Sequence, residues 1–156
     1  MMFLNSVQLL FAATATAVTA SAIPQPLEAG AKTYNAGINL SITSAISNIL
    51  TPSNFTEALG IEAGAQWLIK FYSPTCPYSK RLAPVWEEFA KTCGEDAVSK
   101  NIYIGEVDCK ANGYLCQQND ISGYPTVLYF KDGQPIQEVI NDRTFVEYDA
   151  FLKQLY

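Results

Sequence analysis

The sequence predicts an α/β domain: a mixed, mostly parallel central sheet flanked by helices. Two patterns predict it. From about residue 46 onward, apolar runs of strand length alternate with amphipathic segments of helical period, an alternation that implies parallel pairing. Near the end the alternation stops, and a Lys131-Asp132-Gly133 turn joins two strand-like runs, which calls for an antiparallel hairpin. The expected order is βαβαβαββα, with no internal repeat.

Each element has its own signal. Ile46–Leu50 is a short strand candidate, and Pro52–Leu59 reads as a helix with Thr51 or Ser53 near its N-cap. Trp67–Tyr72 (WLIKFY) is a strongly apolar run bounded by Gly64 and Pro74, so a buried strand is expected. Pro77–Lys91 is helical, with Leu82, Val85, Trp86 and Phe89 on one face, and Pro84 inside it should introduce a kink. Ile102–Val107 is a strand that ends in Asp108-Cys109, and Asn112–Gln118 makes a short helix. Thr126–Phe130 is a buried strand with Ile136–Ile140 as its hairpin partner. Phe145, Tyr148, Phe151, Leu152 and Leu155 make Phe145–Leu155 a closing amphipathic helix. Trp67, Phe71, Trp86 and Phe130 are expected in the core.

Residues 1–22 carry no charged side chain and close on Ala20-Ser21-Ala22, a small-x-small site. This reads as a secretory signal peptide cleaved after Ala22, with a Thr-rich, Leu-poor membrane anchor as the competing reading. Residues 23–45, rich in Ala, Ser, Thr, Asn, Gly and Pro, read as a flexible extension with a short strand near Ile38–Ile42, and 46–156 as the folded domain. No later segment is apolar for long enough to span a membrane. Asn39-Leu-Ser and Asn54-Phe-Thr are sequons, so Asn39 and Asn54 are candidate glycosylation sites. The endoplasmic reticulum lumen and secretion both stay open, since the terminal Lys-Gln-Leu-Tyr is not a KDEL-type signal. Disulfides persist in either place.

Composition narrows the chemistry. The 156 residues include four Cys and no His, with 15 Asp+Glu against 10 Lys+Arg for a net charge of −5. Without histidine, no Ser-His-Asp or Cys-His machinery and no His-ligated metal site can be built. The Cys spacings are 17, 16 and 7, none of them the close pairs of a four-cysteine zinc site, so no metal is expected. The acidic balance argues against nucleic acid. Thiol chemistry remains.

One segment carries it: Phe71-Tyr-Ser-Pro-Thr-Cys-Pro-Tyr-Ser-Lys-Arg-Leu-Ala-Pro84. A strand ends, the chain turns, and Cys76 stands where the next helix begins. Free backbone N–H groups and the helix dipole stabilise a thiolate there. Pro77, at the first helical position, sacrifices no helix hydrogen bond.

WLIKFYSPTCPYSKRLAPVWEEFAK (67–91), IYIGEVDCKANGYLCQQNDISGYPTVLYFKDG (102–133) and DRTFVEYDAFLKQL (142–155) together resemble the thioredoxin-like superfamily, specifically a protein disulfide isomerase domain. The resemblance covers about 47–156 and implies a thioredoxin fold with strand order 1-3-2-4-5. Cys76 matches the family's nucleophile. Pro125 matches the proline whose preceding peptide bond is cis, which would set backbone groups at Tyr124 beside the active-site cysteine to pair with a substrate strand. Tyr78, inside the motif, joins Tyr124 as a candidate substrate-binding residue. Arg143 matches an arginine that approaches the thiols in some members. Cys109 and Cys116 match a structural disulfide found in a subset of such domains.

Three departures limit the likeness. The usual Cys-x-x-Cys is Cys76-Pro77-Tyr78-Ser79, so Ser79 stands in place of the resolving cysteine. Tyr78 and Thr75 replace a common histidine and tryptophan, and Lys70 occupies a strand position where many members keep a buried acid. Cys93 is no substitute partner. It lies 17 residues along the helix that Cys76 begins, about 25 Å at ~1.5 Å per residue, against a disulfide Cα limit of ~7 Å. A buried or reactive free thiol is expected there, with an intermolecular bridge as the remaining option.

The resemblance implies a monomeric secretory-pathway thiol–disulfide exchange protein, isomerase-like and assisting protein folding, with a single active-site cysteine. Its partners would be cysteine-containing client proteins held in mixed disulfides. No resident cofactor is expected, with glutathione as an external resolving thiol. A non-catalytic chaperone or interaction module with a degenerate site is the alternative from another class. A glutaredoxin-like glutathione protein is the third, suggested by Cys76-Pro77-Tyr78.

Overall fold

The computed structural model describes residues 47–60, 63–140 and 142–156. The signal peptide expected over residues 1–22, the extension expected over 23–45 with Asn39, and Ile46 lie outside the described residues. The elements run β1 (Asn48–Ile49), α1 (Phe55–Leu59), β2 (Gln66–Tyr72), α2 (Pro77–Ser99), β3 (Ile102–Asp108), α3 (Gly113–Gln118), β4 (Thr126–Lys131), β5 (Gln134–Glu138) and α4 (Phe145–Lys153). Among the described residues five strands form one sheet in the order β1-β3-β2-β4-β5. β2 pairs with β3 in parallel and with β4 in antiparallel fashion, and β5 closes the antiparallel edge. This is the mixed sheet expected from the sequence.

β2 lies at the centre, and its alternation divides the core in two. Trp67, Ile69 and Phe71 enter one cluster with Leu50, Phe55, Leu59, Tyr103, Leu115 and Phe130, beneath α1 and α3. Leu68 enters the other with Leu82, Trp86, Phe89, Tyr148 and Leu152, beneath α2 and α4. Gly105 on β3 is needed for the first packing. A Cβ there would stand 2.8 Å from Leu50 Cδ1 and 3.3 Å from Trp67 Cζ3.

Three sequence boundaries need correction. α2 runs past Lys91 to Ser99, because the buried stripe Leu82, Trp86, Phe89, Ala90, Cys93 and Ala97 continues at spacings of 3 and 4. Burial of that face offsets the ~1 kcal/mol that an interior glycine, here Gly94, costs a helix. Cys93, beyond the helix end expected at Lys91, is thus an interior residue of α2. α1 starts at Phe55 with Asn54 as its N-cap, where neither Thr51 nor Ser53 was the right choice. The Thr51 N–H donates to Asn54 Oδ1 at 2.7 Å, so residues 51–54 form a turn before the helix. β5 begins at Gln134, directly after a two-residue Asp132-Gly133 turn in which both residues have positive φ (51° and 76°). Ile136 and Ile140 are exposed, and Val139 instead enters the core.

α4 is fixed at its start by a capping box, with Thr144 Oγ1 accepting from the Glu147 N–H and the Glu147 carboxylate accepting from the Thr144 N–H. Pro84 lies inside α2 as the sequence requires.

Candidate active site

β2 ends at Tyr72, and four residues later the chain turns into α2 with Cys76 as the N-cap. The turn is closed by the Cys76 N–H donating to Ser73 O (3.0 Å) and by the Ser73 N–H donating to Ser79 Oγ (3.3 Å). Ser79 is buried, at 3% exposure, and belongs to the local framework. Cys76 is half-buried and free.

Across from it lies the loop before β4. The Tyr124–Pro125 peptide bond is cis, and the Cys76 thiol donates to the Tyr124 carbonyl at 3.4 Å. Arg143, on the loop before α4, adopts a left-handed φ of 64° and donates from Nη2 to the Pro125 carbonyl at 3.4 Å. Cys76, Ser79, Tyr124, Pro125 and Arg143 therefore meet from three separate segments. Tyr78 is exposed beside them, with the Arg81 guanidinium 4.5 Å from its ring centroid. Arg81 was not singled out from the sequence, although its place one turn beyond Tyr78 offered the signal.

The electrostatics favour a thiolate. The Cys76 thiol is held below its ordinary value chiefly by the Ser79 N–H, then by the Tyr78 N–H, the Ser79 hydroxyl and the positive charge of Arg143. Partial desolvation opposes them. These are helix N-terminal donors with no intrahelical partner, so their effect follows from the N-cap position.

The other cysteines have different surroundings. Cys109 and Cys116 form a disulfide with Cα atoms 5.8 Å apart, joining the end of β3 to α3. Cys93 is buried and free, with Sγ 3.7 Å from Asp149 Oδ1 on α4. Desolvation, followed by the Asp149 charge and hydrogen bond, pushes its thiol up to about 11.

Lys70 is buried, and its Nζ lies 2.6 Å from Glu106 Oε2. The parallel register places Lys70 directly opposite Glu106. Glu106 was missed from the sequence, because nothing local to either strand fixes the register between them. Asn54, one of the two sequon asparagines, donates from Nδ2 to the Ile49 carbonyl at 3.1 Å. Among the described residues no cluster of His, Cys, Asp or Glu could hold a metal ion, and no helix is long and apolar enough to cross a membrane.

Comparison with known proteins agrees with this geometry. The sequence profile of the Thioredoxin family matches residues 46–154. The chain is 40% identical over 87 residues to "Protein disulfide-isomerase 1" of Caenorhabditis elegans, covering 56% of this chain and 17% of that protein. It is 31% identical over 104 residues to "Protein disulfide-isomerase 5-1" of Arabidopsis thaliana, covering 66% of this chain and 68% of that one. The solved first two thioredoxin domains of Saccharomyces cerevisiae Eps1p superpose with a TM-score of 0.64 at 31% identity, covering 69% of this chain and 40% of that one. The chain thus spans under a fifth of the nematode relative and about two thirds of the plant one.

Proposed function

Because the chain belongs to the thioredoxin family, as a member of protein disulfide isomerase type, we propose that it exchanges disulfides on secretory-pathway client proteins through one reactive thiol, Cys76. The observation that carries the reading is a half-buried cysteine at a helix N-cap, its thiol lowered by the Ser79 and Tyr78 N–H groups and set against the Tyr124 carbonyl.

The chemistry follows from what surrounds that sulfur. The Cys76 thiolate attacks one sulfur of a client disulfide. A new S–S bond forms, and the other client sulfur leaves as a thiolate that takes up a proton. In a dithiol site a second cysteine would then expel the client. Here that position holds Ser79, whose hydroxyl cannot displace sulfur. The adduct is released when another client thiolate attacks it, which amounts to isomerisation, or when an external thiol such as glutathione attacks. Net oxidation by this site alone is excluded, because it has no second thiol to carry electrons. Tyr78 and Tyr124 flank the client, and Arg143 supports the thiolate.

The Cys109–Cys116 disulfide, the uncharged leader of residues 1–22 and the two sequons support the secretory route.

Incubation of the full chain with a substrate protein of scrambled disulfides tests the proposal. The expected result is slow isomerisation that glutathione accelerates, with an acid-trapped adduct mapped to Cys76 and no adduct in Cys76→Ala. In Ser79→Cys the adduct becomes short-lived, because the introduced thiol displaces the client sulfur as a thiolate; the client leaves reduced while the site takes up the disulfide. Client binding that persists unchanged in Cys76→Ala, with no adduct in the native chain, would instead establish the non-catalytic interaction module.

A further inference from the structure

A cleft of about 410 Å³ opens beside the reactive sulfur, between α3 and the loop that carries the cis proline. Its lining includes Gly113, Gln117, Asp120, Ser122 and Tyr124. Tyr124 joins it to the active site, because its carbonyl accepts the Cys76 thiol. Through Tyr124 the cleft adjoins the place where a client sulfur would be bonded to Cys76, within reach of the residues next to the client's cysteine.

The cleft is lined about equally by polar and apolar surface, Ile121 and Cys116 contributing to the latter, and Asp120 is the one charged residue among those lining it. Asp120 is exposed just beyond α3, in a left-handed conformation (φ 55°) with its N–H bonded to Gln117 O. Among the described residues it takes part in none of the ion pairs, which are Lys70–Glu106, Lys100–Asp96 and Lys153–Asp149. The charged residues around Cys76 itself have the other sign. Lys80 and Arg81 follow Cys76 on α2, and Arg143 acts on Cys76 from the loop before α4. The site is thus polarised, anionic along the cleft and cationic along the helix.

We propose that this cleft is a client subsite in which Asp120 selects a basic side chain, lysine or arginine, near the client's reactive cysteine. The proposal rests on the reading of Cys76 as an exchanging thiol. A basic client residue gains from Asp120 when it lies over the cleft and meets Lys80 and Arg81 when it lies over the start of α2. The preference therefore belongs to one side of the client cysteine and does not follow from the chain's net charge of −5.

The test uses short peptides activated as thiopyridyl disulfides, alike except for Lys, Gln or Glu placed two residues before or after the cysteine. Attack of Cys76 on the peptide sulfur forms the mixed disulfide and releases pyridine thiolate, which is protonated to the absorbing pyridinethione. At low salt the Lys peptide should react about threefold faster than the Glu peptide on one side of the cysteine, the scale of an exposed charge pair. Raised salt should shrink the difference. Asp120→Asn should abolish it and Asp120→Lys invert it. Glu95→Gln, 19 residues or about 28 Å along α2 from Cys76, should leave it intact. Alkylation of Cys76 by uncharged iodoacetamide should be equal in all three variants. Equal rates for all peptides, or a lysine preference that survives Asp120→Asn, would overturn the subsite. Release no faster than in Cys76→Ser from every peptide would overturn the exchange reading itself.

Discussion

The start of α2 and its buried interior hold the same functional group in opposite states. Cys76 at the N-cap faces N–H donors and the charge of Arg143, and its thiol is lowered. Cys93, four to five turns on, is desolvated against Asp149, and its thiol is raised to about 11. A helix is therefore not a uniform environment for a thiol. Its first turn offers unpaired donors that stabilise an anion, whereas its packed middle offers low dielectric and whatever the neighbouring helix presents. In this chain the neighbour presents a carboxylate, so both influences on Cys93 favour the neutral thiol. Cys76 is the cysteine suited to react and Cys93 the one suited to pack.

The largest expected effect is on labelling. With iodoacetamide at pH 7, Cys76 should react faster than Cys93 by on the order of 10², since a thiol near 11 is almost wholly protonated and its sulfur is buried. Peptide mapping after timed quenching measures the ratio, and comparable rates at the two positions would break the contrast.

A smaller effect isolates the carboxylate. Asp149→Asn should speed labelling of Cys93 about fivefold by removing the negative charge, with desolvation still holding the thiol up. Cys76 should not respond. The same raised thiol links folding to alkaline pH. Between about 9, the value of an ordinary thiol, and about 11, Cys93 ionises in the unfolded chain while it stays protonated in the folded one. The unfolded state then binds fewer protons, so stability falls as pH rises through that window. Urea unfolding of Cys93→Ala should show a flatter profile from pH 9 to 11 than the native chain. Parallel profiles would remove Cys93 from the account.

The smallest effect is at Arg143. Arg143→Gln should raise the Cys76 thiol slightly and slow its labelling near pH 7 by less than about twofold, because the N–H groups of Ser79 and Tyr78 remain. A loss of tenfold or more would make the guanidinium, not the helix terminus, the main support of the thiolate.

Much of this was legible in advance, and the exceptions share a cause. Strand and helix order followed from periodicity, because each segment's apolar residues report which face it buries. The helix expected to end at Lys91 runs on to Ser99, because the stripe through Cys93 and Ala97 keeps its face buried. β5 was misread because Ile136 and Ile140 alternate convincingly, yet the Asp132-Gly133 turn fixes where the strand begins and leaves both exposed. In the site, Cys76 and Ser79 could be read directly, since a helix N-terminus and an i+3 neighbour are local. Arg81 was equally local, as the i+3 neighbour of Tyr78, whereas Asp120 and Tyr124 share a cleft only in the folded chain.

By itself the sequence determined that no histidine can take part in any chemistry here, and that the residue after Pro77-Tyr78 is a serine that cannot resolve a mixed disulfide. It also determined that Cys76 opens a helix. Only the tertiary structure decided what each titratable group faces. Tyr124 reaches Cys76 from 48 residues away, Asp149 reaches Cys93 from 56, and Glu106 reaches Lys70 through strand register. Periodicity specifies which face of a segment is buried but not which distant residue will lie against it. The charge state of a thiol depends on the distance to those neighbours, and that distance exists only once the chain has folded.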